Sequence, residues 1–392
     1  MKKIITVLLA IMCMFTLCAC GGGGGDTPAG DNGDGTITIK IGGSGPLTGD
    51  AAAYGLAVRN AAQIAVDEVN ASDSKIKFDF KMEDDEASGE KAVTAYGILY
   101  DWGMQVSLFT VTSGSGAAVA ANYDEDKIFA ITPSGSSTDL VYTGSKNYAG
   151  NFQMCFTDPN QGIVSVQYIK GKFASSKIGV IYKNDDVYSA GVYDKFKAEA
   201  ETEKLDVVYV GTFDDSNATD FNTQLAACQA AGADLVYLPI YYQPASLVLA
   251  QAKAMDYAPV FFGIDGMDGI LTLDGFDTAL AEGVYQLTPF DASSSDANVK
   301  HFVDAYEAKY GETPNQFAAD AYDCIYAIKK ALENIGLDNI DPDNLYEPMI
   351  AQFTSMSFDG ITGSGMTWAA NGEVNKLPKA VIIANGVYVS AD

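Results

Sequence analysis

Arginine and histidine are almost missing from these 392 residues: Arg59 is the only arginine and His301 the only histidine. One guanidinium cannot form the paired clamp that a phosphate or a second carboxylate calls for. One imidazole excludes a histidine metal cluster and leaves a single candidate base of that type. Basic charge is scarce altogether, with Lys+Arg 24 against Asp+Glu 51 and a formal charge of −27. Such a surface repels a nucleic-acid backbone, which binds to clusters of Lys and Arg, and it disfavours lying flat on an anionic membrane. No phosphate-binding P-loop and no G-x-S-x-G nucleophile elbow occur. What remains is a globular balance of 48% hydrophobic and 19% charged residues. The length suits two or three domains with a large core.

The N terminus carries its own address. Lys2 and Lys3 precede an apolar run over residues 4–17, too short to span a bilayer comfortably, which is the pattern of an export signal. It ends Leu17-Cys18-Ala19-Cys20-Gly21, which resembles a bacterial lipobox, so Cys20 is expected to become the lipidated first residue. Losing Lys2 and Lys3 with residues 1–19 takes the formal charge to −29. Residues 20–35 are glycine-rich, with nothing to bury, and read as a flexible tether. Asp31-Asn32-Gly33-Asp34-Gly35 hints at a calcium loop but lacks the distal glutamate. Cys155, Cys228 and Cys324 remain, far apart and in no zinc or redox spacing, so buried thiols are expected.

From residue 36 onward, short apolar runs alternate with longer segments of helical period, the signature of parallel sheets with crossover helices. The fold class is α/β. Strands are expected at 36–42, 76–82, 106–111 and 128–132, with helices at 54–69, 90–100 and 116–123. A second set has strands at 177–182, 207–211, 235–240 and 259–263 and helices at 190–203, 221–231 and 245–255. Further helices are expected at 298–310 and 320–332, and strands over 381–389. Two sets of similar size indicate two lobes.

In open α/β sheets, ligands lie outside the carboxyl ends of strands, where helix N-termini offer free N–H groups. After strand 106–111 comes Thr112-Ser113-Gly114-Ser115-Gly116, and after strand 128–132 comes Pro133-Ser134-Gly135-Ser136-Ser137-Thr138. Each alone is an ordinary cap or turn, but two in consecutive βα turns point to an anion site. The second lobe instead offers Tyr188, Tyr241-Tyr242 and Asp265, which suit an organic cation. Face to face, these groups make an amino-acid pocket. Enzyme readings fit less well. The loop Gly43-Ser44-Gly45-Pro46-Leu47-Thr48-Gly49 mimics a dinucleotide fingerprint, but Pro46 removes an amide and Asp84 lies too far along.

The order of these residues is similar to the type I solute-binding proteins of bacterial ABC importers, of the leucine/isoleucine/valine-binding kind. The likeness rests on Ile39-Lys40-Ile41-Gly42, Ser44 to Gly49, Tyr54-Gly55, Asp67-Glu68-Val69-Asn70, Tyr188 with Gly191, Asp220-Phe221 and Asp234 to Tyr237. It continues through Tyr322-Asp323, Phe358-Asp359-Gly360, Gly363 and Asn371-Gly372. The resemblance implies two doubly wound, Rossmann-like lobes, 36–157 plus 290–360 and 158–289 plus 361–392. Three crossovers, near Thr157, Pro289 and Gly360, would join them around a cleft that closes by a hinge. It implies that Ser113 and Ser136 hold a ligand carboxylate, that the Ser134 carbonyl and Asp265 take the ammonium, and that Tyr54, Tyr188 and Tyr241 line the cleft. Ser136 stands where the family commonly has threonine, and Asp265 where it has glutamate, one methylene longer.

The expected protein is therefore a binder of an amino acid, neutral or branched-chain, and not an enzyme. It needs no cofactor or metal and does not bind nucleic acid. A monomer is expected, tethered outside the cytoplasm to the bacterial membrane through Cys20, with ABC permease and ATPase subunits as partners. The alternatives are a sensory binding protein of the same fold and a binder of another small molecule such as an amide.

Overall fold

The computed structural model describes residues 35–391, so the export signal, Cys20 and nearly all of the tether lie outside the described residues. The first lobe begins with β1 (Ile37–Gly45), α1 (Ala52–Ala71), β2 (Ile76–Asp84), α2 (Gly89–Asp101) and β3 (Val106–Ser107). It continues with α3 (Ser113–Glu125), β4 (Phe129–Thr132) and β5 (Asn151–Gln153). The second follows with α4 (Asp158–Lys172), β6 (Lys177–Lys183), α5 (Val187–Glu203), β7 (Asp206–Phe213) and α6 (Asn222–Ala230). Then come β8 (Leu235–Leu238), α7 (Tyr242–Ala254), β9 (Val260–Gly263) and β10 (Tyr285–Thr288). The chain then forms α8 (Ala297–Tyr310), α9 (Gln316–Ile335), α10 (Tyr346–Phe353), β11 (Lys379–Ala384) and β12 (Val387–Ser390).

Five strands make a parallel sheet in the order β2-β1-β3-β4-β5. Seven make the other, β12-β11-β10-β9-β8-β6-β7, parallel except for the antiparallel β10-β11-β12 edge. Strand β1 is buried from Ile39 to Gly45 without alternation, as a central parallel strand covered on both faces must be. In the first lobe, α9 packs on α1, where the Glu68 carboxylate accepts from the Tyr322 and Tyr326 hydroxyls at 2.6 and 2.7 Å. His301 of α8 meets the same carboxylate at 2.9 Å, so the lone imidazole is an exposed packing group.

Three passages join the lobes, at residues 154–157, 289–296 and 375–378. The third falls later than the sequence suggested at Gly360. Bridges Phe358–Met366 and Trp368–Val374 fold that stretch on itself, and the Trp368 indole donates to the Gln153 carbonyl at 2.8 Å. Gln153 N in turn donates to the Gly372 carbonyl. Gly372 has φ +85°, and a Cβ there would lie 2.1 Å from the Asn151 carbonyl oxygen, so glycine alone allows this docking against β5. Buried Lys376 sits in the passage itself, bonded to Asp320 and the Thr362 hydroxyl.

The strand expected over 106–111 has ladder register only at Val106 and Ser107, with Leu108 N still donating to the Gly42 carbonyl and Ser44 N to the Phe109 carbonyl, and beyond Phe109, at φ +55°, the backbone turns away. That turn lets α3 begin at Ser113, three residues earlier than its apolar period indicated. Cys155, Cys228 and Cys324 are buried free thiols.

Candidate functional site

Five helix starts or strand ends converge where the lobes meet. Thr112 is the N-cap of α3 and Ser113 its first residue, so the free amides of that turn face the gap with the dipole's positive end. The neighbouring turn after β4 is shaped by Thr132, whose hydroxyl accepts from Ser134 N at 3.2 Å and Gly135 N at 2.7 Å. The two turns are tied together, since Ser137 N donates to Ser113 Oγ at 3.1 Å. Across the gap stand Tyr188 in the first turn of α5, Tyr241 as N-cap of α7 and Asp265 just beyond β9.

These groups enclose a cavity of about 10 Å³, lined by Tyr54, Val111, Thr112, Ser113, Ser134, Ser136, Tyr188, Tyr241, Asp265, Gly266 and Phe317. That is room for about one water. All seven residues singled out in the sequence line it. The walls are aromatic and rigid. Tyr188 and Tyr241 stack with centroids 5.3 Å apart, and Tyr54 meets Tyr241 edge-on at 5.3 Å and Phe317 at 4.6 Å.

Two of these tyrosine hydroxyls, those of Tyr54 and Tyr188, also fix backbone. Tyr54 of the first lobe donates to the Gly266 carbonyl and accepts from Tyr242 N at 3.2 Å, both in the second lobe. Tyr188 accepts from Gly266 N at 2.8 Å and donates to Gln161 Oε1 at 3.2 Å. Ala53 N reaches the Tyr242 hydroxyl at 3.3 Å, a further bond between lobes. Gly266 can be nothing larger, as a Cβ would lie 2.8 Å from the Tyr188 ring and 2.9 Å from the Ile240 carbonyl oxygen.

The charge in the cavity is acidic. Asp265 is 4% exposed, and burial, then the Asp320, Asp268 and Asp158 carboxylates, push its pKa far up against a smaller pull from Gln161. A buried acid in this state is one that a cation would restore to its charged form. Sequence reasoning missed Asp158 and Gln161, at the start of α4. Asp158 N donates to the Ser136 carbonyl at 2.9 Å, which sets the Ser136 hydroxyl beside the buried Asp158 carboxyl. Burial drives the Asp158 pKa well up, with Ser136 pulling the other way. The signal was present as Thr157-Asp158-Pro159, a cap residue followed by proline in the first helical turn. Phe317 comes from α9, far along the chain from the rest of the site, and no local pattern announced it.

The dinucleotide-like loop is otherwise engaged. Asp84 accepts from Leu47 N at 2.9 Å and the Thr48 hydroxyl at 2.6 Å, which ties the loop to β2.

Two α/β lobes joined by three passages, with helix N-termini and aromatic rings facing each other across a buried cleft, define a two-lobed solute-binding protein. The chain belongs to the periplasmic binding protein family, whose sequence pattern matches residues 38–379. It is 26% identical over 331 residues to the leucine-, isoleucine-, valine-, threonine- and alanine-binding protein of Pseudomonas aeruginosa, covering 83% of this chain and 85% of that one. It superposes with TM-score 0.79 on the branched-chain amino acid transporter substrate-binding protein LivJ of Streptococcus pneumoniae in complex with isoleucine. That pair is 26% identical, over 90% of this chain and 98% of the other. A solute-binding protein of an R. palustris ABC transporter in complex with benzoate shares the fold at TM-score 0.79, with 20% identity over 90% and 95% of the two chains. The chain is thus a solute-binding protein of an extracytoplasmic family, and not an enzyme.

Proposed function

We propose that this protein captures a neutral, aliphatic α-amino acid and delivers it to an ABC importer. The observation that carries the reading is the convergence, in one buried cavity, of the α3 N-terminus with Ser113 and Ser136 on one side and Asp265 on the other. An α-amino acid presents those two charges a few ångströms apart. Its carboxylate would take the α3 amides and the Ser113 and Ser136 hydroxyls. Its ammonium would take Asp265 and the Ser134 carbonyl, and Tyr54, Tyr188 and Tyr241 would pack on the side chain. The named ligands of the Pseudomonas and Streptococcus relatives support this class. Among the described residues no arginine or lysine lines the cavity, which speaks against a dicarboxylate.

The cavity has room for about one water, so the lobes would have to part to admit an amino acid and then close over it by hinge motion. Lipidation at Cys20 would hold the binder beside a permease whose separate subunits hydrolyse ATP.

A thermal-shift screen of the protein against the twenty amino acids, dicarboxylates, amides and sugars tests the reading. Leu, Ile, Val or another neutral amino acid at 100 times its Kd should stabilise the fold by about 2.7 kcal/mol, a shift of several degrees. Stabilisation only by ligands without an ammonium would overturn the assignment of Asp265.

A further inference from the structure

A second and much larger cavity, of about 510 Å³, lies on the other side of the α9 N-terminus from the cleft. Gln316 faces it, whereas its neighbour Phe317 faces the cleft. Its walls come from both lobes. Val303 of α8 and the turn leading into α9 stand opposite Leu271, Phe290, and Val387 and Tyr388 of β12. The volume falls within the range of small-molecule sites, as does the pairing of apolar walls with a few placed polar groups.

One of those groups is out of order for a merely structural hollow. Gln286 of β10 is 1% exposed, yet among the described residues neither its amide nitrogen nor its amide oxygen has a hydrogen-bond partner. Gln316, also 1% exposed, leaves its side-chain oxygen unpartnered on the same cavity. Buried amides are normally satisfied, so a donor and an acceptor left open side by side point to a missing counterpart. The charge of the walls narrows what it can be. Among the described residues no lysine, arginine or histidine lines the cavity, while Asp268 and Glu307 do. Both carboxylates are engaged by the protein, Asp268 by Gln316 N at 2.9 Å and Glu307 by the Thr313 hydroxyl at 2.8 Å. An anion would be repelled and would find no counter-charge.

We infer that this cavity is a second ligand site, for a small uncharged molecule with an apolar body and one primary carboxamide. The carboxamide pairs with Gln286 through two antiparallel N–H···O bonds, and the body lies on Leu271, Phe290 and Val303. The inference does not depend on which solute the cleft takes.

Hexanamide is the probe, with hexanoate as its charged isostere, both added to protein already saturated with its cleft ligand or to the Asp265→Ala variant. Hexanamide at millimolar concentration should raise Tm by a few degrees in both backgrounds, and hexanoate should not. Gln286→Leu should fold, because an alkyl group replaces an unpartnered amide, and should abolish the hexanamide shift. Val387, 56% exposed at the rim, gives an independent readout. In Val387→Cys, alkylation at residue 387 followed by peptide mapping should slow several-fold with hexanamide. No shift at millimolar hexanamide, a shift that survives Gln286→Leu, one that disappears with Asp265→Ala, or an unchanged alkylation rate would each overturn the site.

Discussion

Single carboxylates set the energetics of this molecule, because so few cations are available to neutralise them. Asp265 is proposed to hold the ligand ammonium in a buried site. Asp265→Ala should therefore weaken amino-acid binding by about 2–5 kcal/mol, the usual consequence of removing one side of a desolvated charge pair. Isothermal titration of the variant with the best ligand from the thermal screen measures it, and a loss of less than about threefold would discard the pairing. Asp85 is a different case. It accepts from Ala87 N at 2.9 Å and the Ser44 hydroxyl at 3.0 Å, yet burial dominates and lifts its pKa from 3.8 to about 6. Folding raises this pKa, so the folded state holds the proton more tightly than the unfolded chain. The group's contribution accordingly falls as pH rises from about 4 to about 6 and is level above that. Asp85→Asn, which keeps one acceptor and one donor for the same partners, should gain on the wild type across that window by about 1–3 kcal/mol. Urea unfolding at pH 4, 5, 6 and 7 would show the gap opening, and a gap constant with pH would refute the assignment.

At the scale of elements, the βα logic made most of this site legible. A ligand in an open parallel sheet must lie at strand ends, so Ser113, Ser134, Ser136, Tyr188, Tyr241 and Asp265 could be found by locating strands and reading the next few residues. What stayed hidden was of two kinds. Strand β5 is only three residues, Asn151-Phe152-Gln153, and β10 carries Gln286 and Thr288 among its four, so neither offers the apolar run that disclosed β4, β8 and β9. Helix α4 carries a mixed face, because it is pressed tightly on α5. Its Gly162 is the reason that approach is possible, since a Cβ there would lie 2.6 Å from Phe196 N and 2.8 Å from the Val192 carbonyl oxygen. Alanine would gain roughly 1 kcal/mol in helix propensity but must push the two backbones apart, which costs more. Gly162→Ala should lower stability by about 1–3 kcal/mol, read as a reduced urea midpoint at unchanged m-value. Because α4 carries Asp158 and Gln161 and α5 carries Tyr188, the same change should also weaken ligand binding. An unaltered midpoint would mean that the helices are not held as closely as described.

At the scale of the whole molecule, the question is what holds the lobes together. Tyr54 bridges them from inside the cleft, so replacing it would confuse ligand contact with closure. Tyr242 separates the two. Its hydroxyl accepts from Ala53 N across the lobes at 3.3 Å, its ring packs edge-on against Tyr54 at 5.0 Å, and it does not line the cavity. Tyr242→Phe keeps the ring and removes only the bond. In an open arrangement Ala53 N would be hydrated, so the bond contributes to the closed form alone. Its loss shifts the equilibrium towards open by the net value of one hydrogen bond, about 0.5–1.5 kcal/mol. A ligand that binds only the closed form pays that difference in full, so Kd should rise about two- to twelve-fold. The rise should fall on the dissociation rate, with the preference among amino acids unchanged, because no ligand contact has been altered. Stopped-flow binding with two different amino acids measures both quantities. A changed preference would place Tyr242 at the ligand, and an unchanged Kd would mean that closure and capture are not coupled through this contact.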